Sequence, residues 1–263
     1  MDFKKLLKTA INASIAGGHV IMEVYASNFD VEQKDDDSPL TLADKNCNTI
    51  IENFLLKTSI PIMSEEGAKI AYSKRRSWEY FWLVDPLDGT KEFIKRNGEF
   101  TVNIALIHNG LPIMGVIYVP VKKDLYFAME GLGSFMANSN SAISNLNNLI
   151  TESDKLPIDY KRNNYVVVGS RSHMSTETEE FFKEKIQGHK NVEVIAIGSS
   201  LKLCMVAEGK ADAYPRYAPT MEWDIAAGHA IAKFAGFSVV QYQTKKEMVY
   251  NKEDLLNPWF LVQ

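Results

Sequence analysis

Apolar residues at Phe3, Leu6, Leu7, Ala10, Ile11, Ile15 and Val24 recur at helical spacing, so residues 1–25 are predicted to form an amphipathic helix. A second stripe, Ala43, Cys47, Ile50, Ile51, Phe54 and Leu55, predicts a helix from about residue 41 to 57. Between them, Lys34-Asp35-Asp36-Asp37-Ser38-Pro39 reads as a solvated loop. The period then changes. Short apolar segments at 60–63 and 78–84 read as buried strands, and 101–108, 112–119 and 124–129 as a meander. Asn109-Gly110 supplies a hairpin turn between the first two strands of that meander. Residues 138–164, rich in Asn and Ser with little periodicity, read as a surface excursion or a boundary between lobes. Beyond them strands are predicted at 165–168, 192–197, 211–215 and 238–241, alternating with helices at 175–187, 199–208 and 222–235. Antiparallel strands first and alternation later predict a mixed α/β (α+β) protein with two layered halves, 1–150 and 151–263.

Composition narrows the class. With 46% hydrophobic and 24% charged residues, the chain is neither disordered nor collagen-like nor a disulfide scaffold. Lys and Arg number 29 against 33 Asp and Glu, a formal net charge of −4, which lacks the basic footprint that coating a nucleic-acid polymer requires. The two cysteines, Cys47 and Cys204, lie in apolar-periodic stretches and are expected to be buried free thiols, in keeping with a reducing compartment. There is no run of about 18 apolar residues to span a bilayer, and the first helix is periodic rather than a solid apolar block. A cytoplasmic protein without an integral membrane segment is expected.

Candidate chemistry concentrates in Trp82-Leu83-Val84-Asp85-Pro86-Leu87-Asp88-Gly89-Thr90-Lys91-Glu92-Phe93. A hydrophobic strand runs into Asp85 and proline stops the ladder. Asp88 follows three residues later, so a tight turn can bring both carboxylates and the Leu87 carbonyl to one point. Those are the hard oxygen ligands that Mg²⁺ prefers. Gly89 and Thr90 open a short helix whose N–H groups can hold a phosphate. Each of these residues also favours an ordinary turn. Glu65-Glu66 ends another strand and reads equally as a solvated pair. Asp224 opens an Ala-rich helix, where an aspartate also serves as an N-cap.

Taken in order, the Asp85–Thr90 segment, Glu65-Glu66 and Trp223-Asp224-Ile225-Ala226-Ala227-Gly228 resemble the inositol monophosphatase superfamily of Mg²⁺-dependent, Li⁺-sensitive phosphatases, over essentially the whole chain. Lys91-Glu92, Gly198-Ser199-Ser200-Leu201-Lys202, Tyr214-Pro215-Arg216 and Pro219-Thr220-Met221-Glu222-Trp223-Asp224 are similar to its CysQ-type branch, the 3'(2'),5'-bisphosphate nucleotidases. The resemblance implies a layered αβαβα sandwich of the inositol monophosphatase and sugar phosphatase type. It implies that Glu65, Asp85, Asp88, Asp224 and the Leu87 carbonyl bind two or three Mg²⁺ ions, with Glu66 assisting a further one. Thr90 and Asp44 then match the pair that activates the attacking water. Substrate contacts would come from Glu65, Leu87, Asp88, Gly89, Thr90, Ser199, Lys202, Arg216 and Asp224, with Ser200 adding a hydroxyl and residues 169–173 walling the adenosine. The implied reaction removes the 3'-phosphate of adenosine 3',5'-bisphosphate (PAP) to give AMP, and converts PAPS to APS, in sulfur assimilation. A monomer or homodimer is expected, in the cytoplasm, with peripheral contact at the inner face of the cell membrane left open.

The net charge takes on a local meaning here. Glu65, Asp85, Asp88 and Asp224 carry four negative charges at one point, and two Mg²⁺ ions would cancel them, leaving Lys202 and Arg216 to meet an anionic substrate. Rival readings are an inositol phosphate as substrate, or a metal- and nucleotide-binding regulator without turnover. Other motifs fail: Ser199-Ser200-Leu201-Lys202 fits Ser-x-x-Lys but lacks its Ser-Asp-Asn and Lys-Thr-Gly partners. The five histidines make no His-x-x-x-His pair, and His229 is expected to be packed or exposed rather than catalytic.

Overall fold

The structure is a computed structural model that describes residues 1–27, 31–33, 39–170 and 176–263, apart from the side chains of 31–33, 39–41 and 170. Residues 34–38 of the loop expected at 34–39, and residues 171–173 of the expected adenosine wall, lie outside the described residues, while Pro39 opens a strand. Helix α1 spans Phe3–Tyr25, its first turn capped by the Asp2 carboxylate, which accepts the Lys5 N–H at 3.0 Å. Strands β1 (Val31–Gln33) and β2 (Pro39–Thr41) pair antiparallel and lead into α2 (Leu42–Leu55), which a 3₁₀ turn at Leu56–Thr58 closes. Gly17 lets α1 and α2 approach closely: a Cβ there would lie 2.6 Å from Cys47 Sγ.

The central sheet has seven strands in chain order: β3 (Ile62–Ser64), β4 (Tyr80–Asp88), β5 (Thr101–His108), β6 (Leu111–Val119), β7 (Asp124–Met129), β8 (Gly133–Asn138) and β9 (Asp154–Lys155). The short helix α3 (Tyr72–Arg75) precedes β4, and α4 (Thr90–Ile94) follows it. The β3–β4 pairing is parallel and every later pairing antiparallel. Asn109 and Gly110 both take positive φ, 48° and 79°, as the predicted hairpin turn requires.

Alternate strand residues feed two cores. Trp82, Val84, Ile104 and Val116 pack against α1 and α2. Phe81, Leu83, Ala105 and Ile117 pack against α7 (Leu201–Glu208) and α8 (Glu222–Phe234). Gly115 brings α8 down onto the sheet, since a Cβ there would meet the Ala227 carbonyl oxygen at 2.3 Å.

Beyond α7 and α8 lies a second sheet layer, with β14 (Phe260–Val262) between β12 (Tyr214–Arg216) and β13 (Val239–Gln241). The parallel pair β10 (Tyr165–Ser170) and β11 (Val192–Ile197) joins it through a Val167–Ala213 bridge. Helix α6 (Thr176–Gly188) closes the outer side through Phe181 and Phe182. The succession is α, β, α, β, α, the mixed α/β layering that the sequence implies. Among the described residues, no helix is long and apolar enough to cross a membrane.

Some elements depart from the sequence pattern. The region 138–164, read as an irregular excursion, contains helix α5 (Leu146–Glu152) and strand β9. The Asn145 side chain caps α5 by accepting the N–H groups of Asn147 and Asn148, and two turns are too short to display a period. Strands β8 and β14 also escape the pattern. The helix expected from 199 begins at Leu201 because Ser199 takes φ 46°, outside helical geometry.

Candidate metal and phosphate site

Sheet register assembles the acidic cluster. Parallel pairing sets Ser64 beside Val84, and the Glu65 N–H donates to the Val84 carbonyl at 3.1 Å, so Glu65 leaves its strand next to Asp85. The β4–β5 ladder shifts register between Asp85 and Asp88, around Pro86, which has no N–H to donate. The turn is held internally: Asp85 Oδ1 accepts the Leu87 N–H at 3.1 Å, and Thr90 Oγ1 donates to the Leu87 carbonyl at 3.3 Å. Gly89 takes φ 93°, and a Cβ there would meet the Glu99 carbonyl oxygen at 3.0 Å, so the turn into α4 needs glycine on both counts. Opposite this turn, α8 presents its first turn. Asp224 is the third residue of the helix, not its N-cap, and its Oδ2 accepts the N–H of the capping residue Met221 at 2.8 Å.

Carboxylate oxygens of Glu65, Asp85 and Asp224 all lie within 4.8 Å of one another. Glu66 and Asp88 stand outside this tightest group. Asp88 is nonetheless close enough to act on its neighbours electrostatically. Burial first, then the charges of Glu65, Asp88, Asp224 and Asp44, hold the Asp85 carboxyl well above the usual carboxylate range. Asp224 is raised likewise, by burial and then by Asp88 and Glu65. Burial also raises Asp88, opposed by Lys202, the Ser200 N–H, Asn103 and Arg216. Crowded hard oxygen donors that repel one another suit a divalent cation, and nothing in the donor set is soft enough to select a thiophilic metal.

The expected flanking residues fall around this cluster. Asp44 sits in the first turn of α2, 1% exposed, where its charge acts on Asp85. Lys202 and Arg216 carry the charges that lower Asp88. Lys202 is buried, not surface-solvated: its Nζ donates to the Ile197 carbonyl at 3.2 Å and the Ser199 carbonyl at 2.5 Å. Burial brings its pKa down to about 8, against the opposing pull of Asp88. Arg216 is half-buried, and its Nη2 donates to the Pro219 carbonyl at 3.0 Å. Ser199 is half-buried, and its Oγ accepts the Leu201 N–H at 3.4 Å.

Ser200 departs from expectation: its hydroxyl is turned inward and bonds Asn103 and Thr101, so it is not presented to a ligand. Of the other titratable candidates, His229 is packed, its Nδ1 against Tyr250 Oη at 2.9 Å. Cys47 and Cys204 are free and buried, and the Cys47 thiol donates to the Pro86 carbonyl at 3.2 Å.

Asn103 and Glu99 carry no role in the sequence reading, and Glu92 enters it only as part of the Lys91-Glu92 pair. Asn103, a lone amide inside the apolar run of β5, donates to Asp88 Oδ2 at 3.4 Å. Glu92 is buried in α4 and accepts a hydrogen bond from Asn97. Glu99 Oε2 accepts the Gly198 N–H at 2.8 Å, which ties the turn before α7 to the loop after α4. For Asn103 the signal is a polar residue at an otherwise apolar strand position; Glu92 is marked by the Lys91-Glu92 pair, and Glu99 by nothing in the sequence.

Comparison with known proteins places these features in context. The inositol monophosphatase family profile matches residues 2–259. The 3'(2'),5'-bisphosphate nucleotidase CysQ of Salmonella typhimurium is 45% identical over 249 residues, 93% of this chain and 94% of that protein. The crystal structure of CysQ from Bacteroides thetaiotaomicron superposes with a TM-score of 0.92 at 49% identity, covering 100% of this chain and 98% of the other. An inositol monophosphatase of Thermotoga maritima, 21% identical, shares the fold with a TM-score of 0.76 over 100% of this chain and 92% of its own.

Proposed function

Because the chain belongs to the inositol monophosphatase family, we infer that its converging carboxylates serve hydrolysis of a phosphate monoester, and we propose the 3'-phosphate of adenosine 3',5'-bisphosphate as that ester. The observation that carries the reading is the meeting of Glu65, Asp85 and Asp224 beside Asp88, with Lys202 and Arg216 close by. The nucleotidase names of the similar proteins support the choice of substrate over an inositol phosphate. PAPS is a second substrate, giving APS, which places the reaction in sulfur assimilation in the cytoplasm.

Glu65, Asp85, Asp88, Asp224 and the Leu87 carbonyl would hold two or three Mg²⁺ ions. When bound, Mg²⁺ neutralises the charge of the phosphoryl group and makes the attacking water more acidic. Thr90 orients that water through its hydroxyl, and Asp44 accepts its proton. The backbone N–H groups of Gly89 and Thr90 hold equatorial phosphoryl oxygens. The new O–P bond forms as the bond to the 3'-oxygen breaks, and that oxygen leaves as a hydroxyl once protonated. Lys202 and Arg216 grip the 5'-phosphate, Arg216 by a two-pronged contact, with Ser199 adding a hydroxyl. With its pKa at about 8, Lys202 is mostly charged at neutral pH. In this division of labour, residues 1–150 carry the water-activating pair and most metal ligands. Residues 151–263 carry the last ligand and the nucleotide contacts.

Phosphate release from adenosine 3',5'-bisphosphate and from inositol 1-phosphate, with and without Mg²⁺, tests the proposal. Release from the nucleotide is expected to be faster and to require Mg²⁺. Faster release from the inositol ester would overturn the substrate, and none from either would leave a binding protein.

A further inference from the structure

We propose that Asn103 and Ser200 are positioning residues for Asp88: together they fix the orientation of its carboxylate and thereby set metal affinity at that position. The inference rests on the reading of Asp88 as a ligand.

Three aspartates of the site each have one oxygen tied to a backbone amide. For Asp85 and Asp224 the tie is local, from Leu87 two residues on and from Met221 three residues back. Such ties form with the turn itself. Asp88 is tied differently, by the N–H of Ser200, 112 residues away, at 2.5 Å. The Asn103 amide adds a second bond at 3.4 Å to the same oxygen, Oδ2, so Oδ1 takes neither.

Asn103 reads both partners at once. Its Nδ2 donates to Asp88, while its Oδ1 accepts the Ser200 hydroxyl at 2.8 Å. Ser200 Oγ also lies 2.7 Å from Thr101 Oγ1. Ser200 is 2% exposed and Asn103 1%, so bulk water does not compete for these bonds. The chain Thr101–Ser200–Asn103–Asp88 therefore joins the end of β4 to the turn before α7, the turn that also bears Ser199 and precedes Lys202. Removing groups that orient a metal ligand typically costs about 10- to 100-fold in affinity.

The test uses Asn103→Leu, of similar volume, and Ser200→Ala, the milder change. Binding of Mn²⁺ to the metal-free protein is measured by calorimetry, and phosphate release is followed across a Mg²⁺ series. Asn103→Leu, which removes the amide bonded to Asp88, is expected to bind Mn²⁺ about 10-fold more weakly and to need about 10-fold more Mg²⁺ for half-maximal rate. Ser200→Ala, which keeps the Ser200 N–H on Asp88, is expected to move both in the same direction by less. Saturating Mg²⁺ should restore kcat in both, with KM for the nucleotide unmoved, which a general structural defect would not allow. Unchanged Mn²⁺ affinity in both variants overturns the proposal, as does a kcat loss that Mg²⁺ leaves in place. Asp88→Asn separates the layers. If it too keeps Mn²⁺ affinity and turnover, the underlying reading of Asp88 fails; if it alone loses them, only the positioning role fails.

Discussion

Glu222 and Asp224 stand two residues apart in the first turn of α8, and their surroundings are opposite. Glu222 is fully buried and fully answered: its carboxylate accepts the Asn251 N–H at 2.6 Å, the Lys252 N–H at 3.0 Å and Lys252 Nζ at 2.5 Å. Arg75 braces the same loop through Asn251 Oδ1 and the Lys252 carbonyl. Asp224 takes one backbone bond and is otherwise set among Asp88 and Glu65, whose charges push its carboxyl upward. Helix position cannot explain the contrast, because the N-terminal dipole favours both acids alike. The fold sets a cation directly against Glu222, whereas at half-buried Asp224 the charge of Arg216 opposes burial and the neighbouring carboxylates without outweighing them. A carboxylate cluster left repelling itself inside a well-satisfied scaffold points to a charge that arrives from outside.

The largest effect that tests the contrast is on turnover. Asp224→Asn keeps the shape and the Met221 bond but removes the negative charge of the proposed ligand. Phosphate release is expected to fall about a thousandfold, equivalent to about 4 kcal/mol. Melting in EDTA should show a Tm at or above that of the parent protein, since one repelling charge has gone. Turnover within tenfold of the parent would make Asp224 as structural as its neighbour. Glu222→Ala should behave in reverse. It strands Lys252 and two backbone N–H groups in a buried place, and urea unfolding is expected to show a loss of about 3–5 kcal/mol. The fraction that stays folded should hydrolyse substrate at close to the parental rate. An unaltered midpoint of unfolding would show that Glu222 is not the support its partners imply.

The acidic cluster is more legible in the sequence than the residues that hold it. Asp85 and Asp88 follow an apolar strand three residues apart, so strand pattern and turn chemistry bring those two together. Glu65 joins them only through the parallel β3–β4 register, a meeting that the resemblance implies and local pattern does not display. Lys202 is visible in the sequence as a cation but not as a buried one, because its Nζ folds back onto the Ile197 and Ser199 carbonyls and lies over the Tyr214 ring, contacts that no periodicity displays. The resemblance gives Ser200 a hydroxyl for the substrate, and tertiary packing instead turns that hydroxyl toward Asn103 and Thr101. The same reason hid α5 and β14. Two helical turns or three strand residues carry too little pattern, and their stability comes from partners such as β12 and β13 on either side of β14.

The smallest effect is a slope with pH, and its sign sets the acidic cluster apart from buried His229. Asp85 and Asp224 have native pKa values raised above the ordinary 3.8, by burial first and then by like charges. Above 3.8 the unfolded chain has already released protons that the native cluster retains. Metal-free protein therefore loses stability as pH rises from that value through the raised native values. His229 works against this slope. Its pKa is lowered from 6.5 by burial, so the native state resists the proton that the unfolded chain takes up, and stability falls on acidification below 6.5. Glu247, pushed down to about 2 by its bonds from His229 and Lys233, titrates below the window. A single melting curve would mix these signs, whereas the difference between melts with Mg²⁺ and with EDTA isolates the cluster, because His229 contributes equally to both. That difference in Tm is expected to be larger at pH 7 than at pH 5, and to shrink in Asp224→Asn. A difference independent of pH would mean that the cation binds away from Asp85 and Asp224.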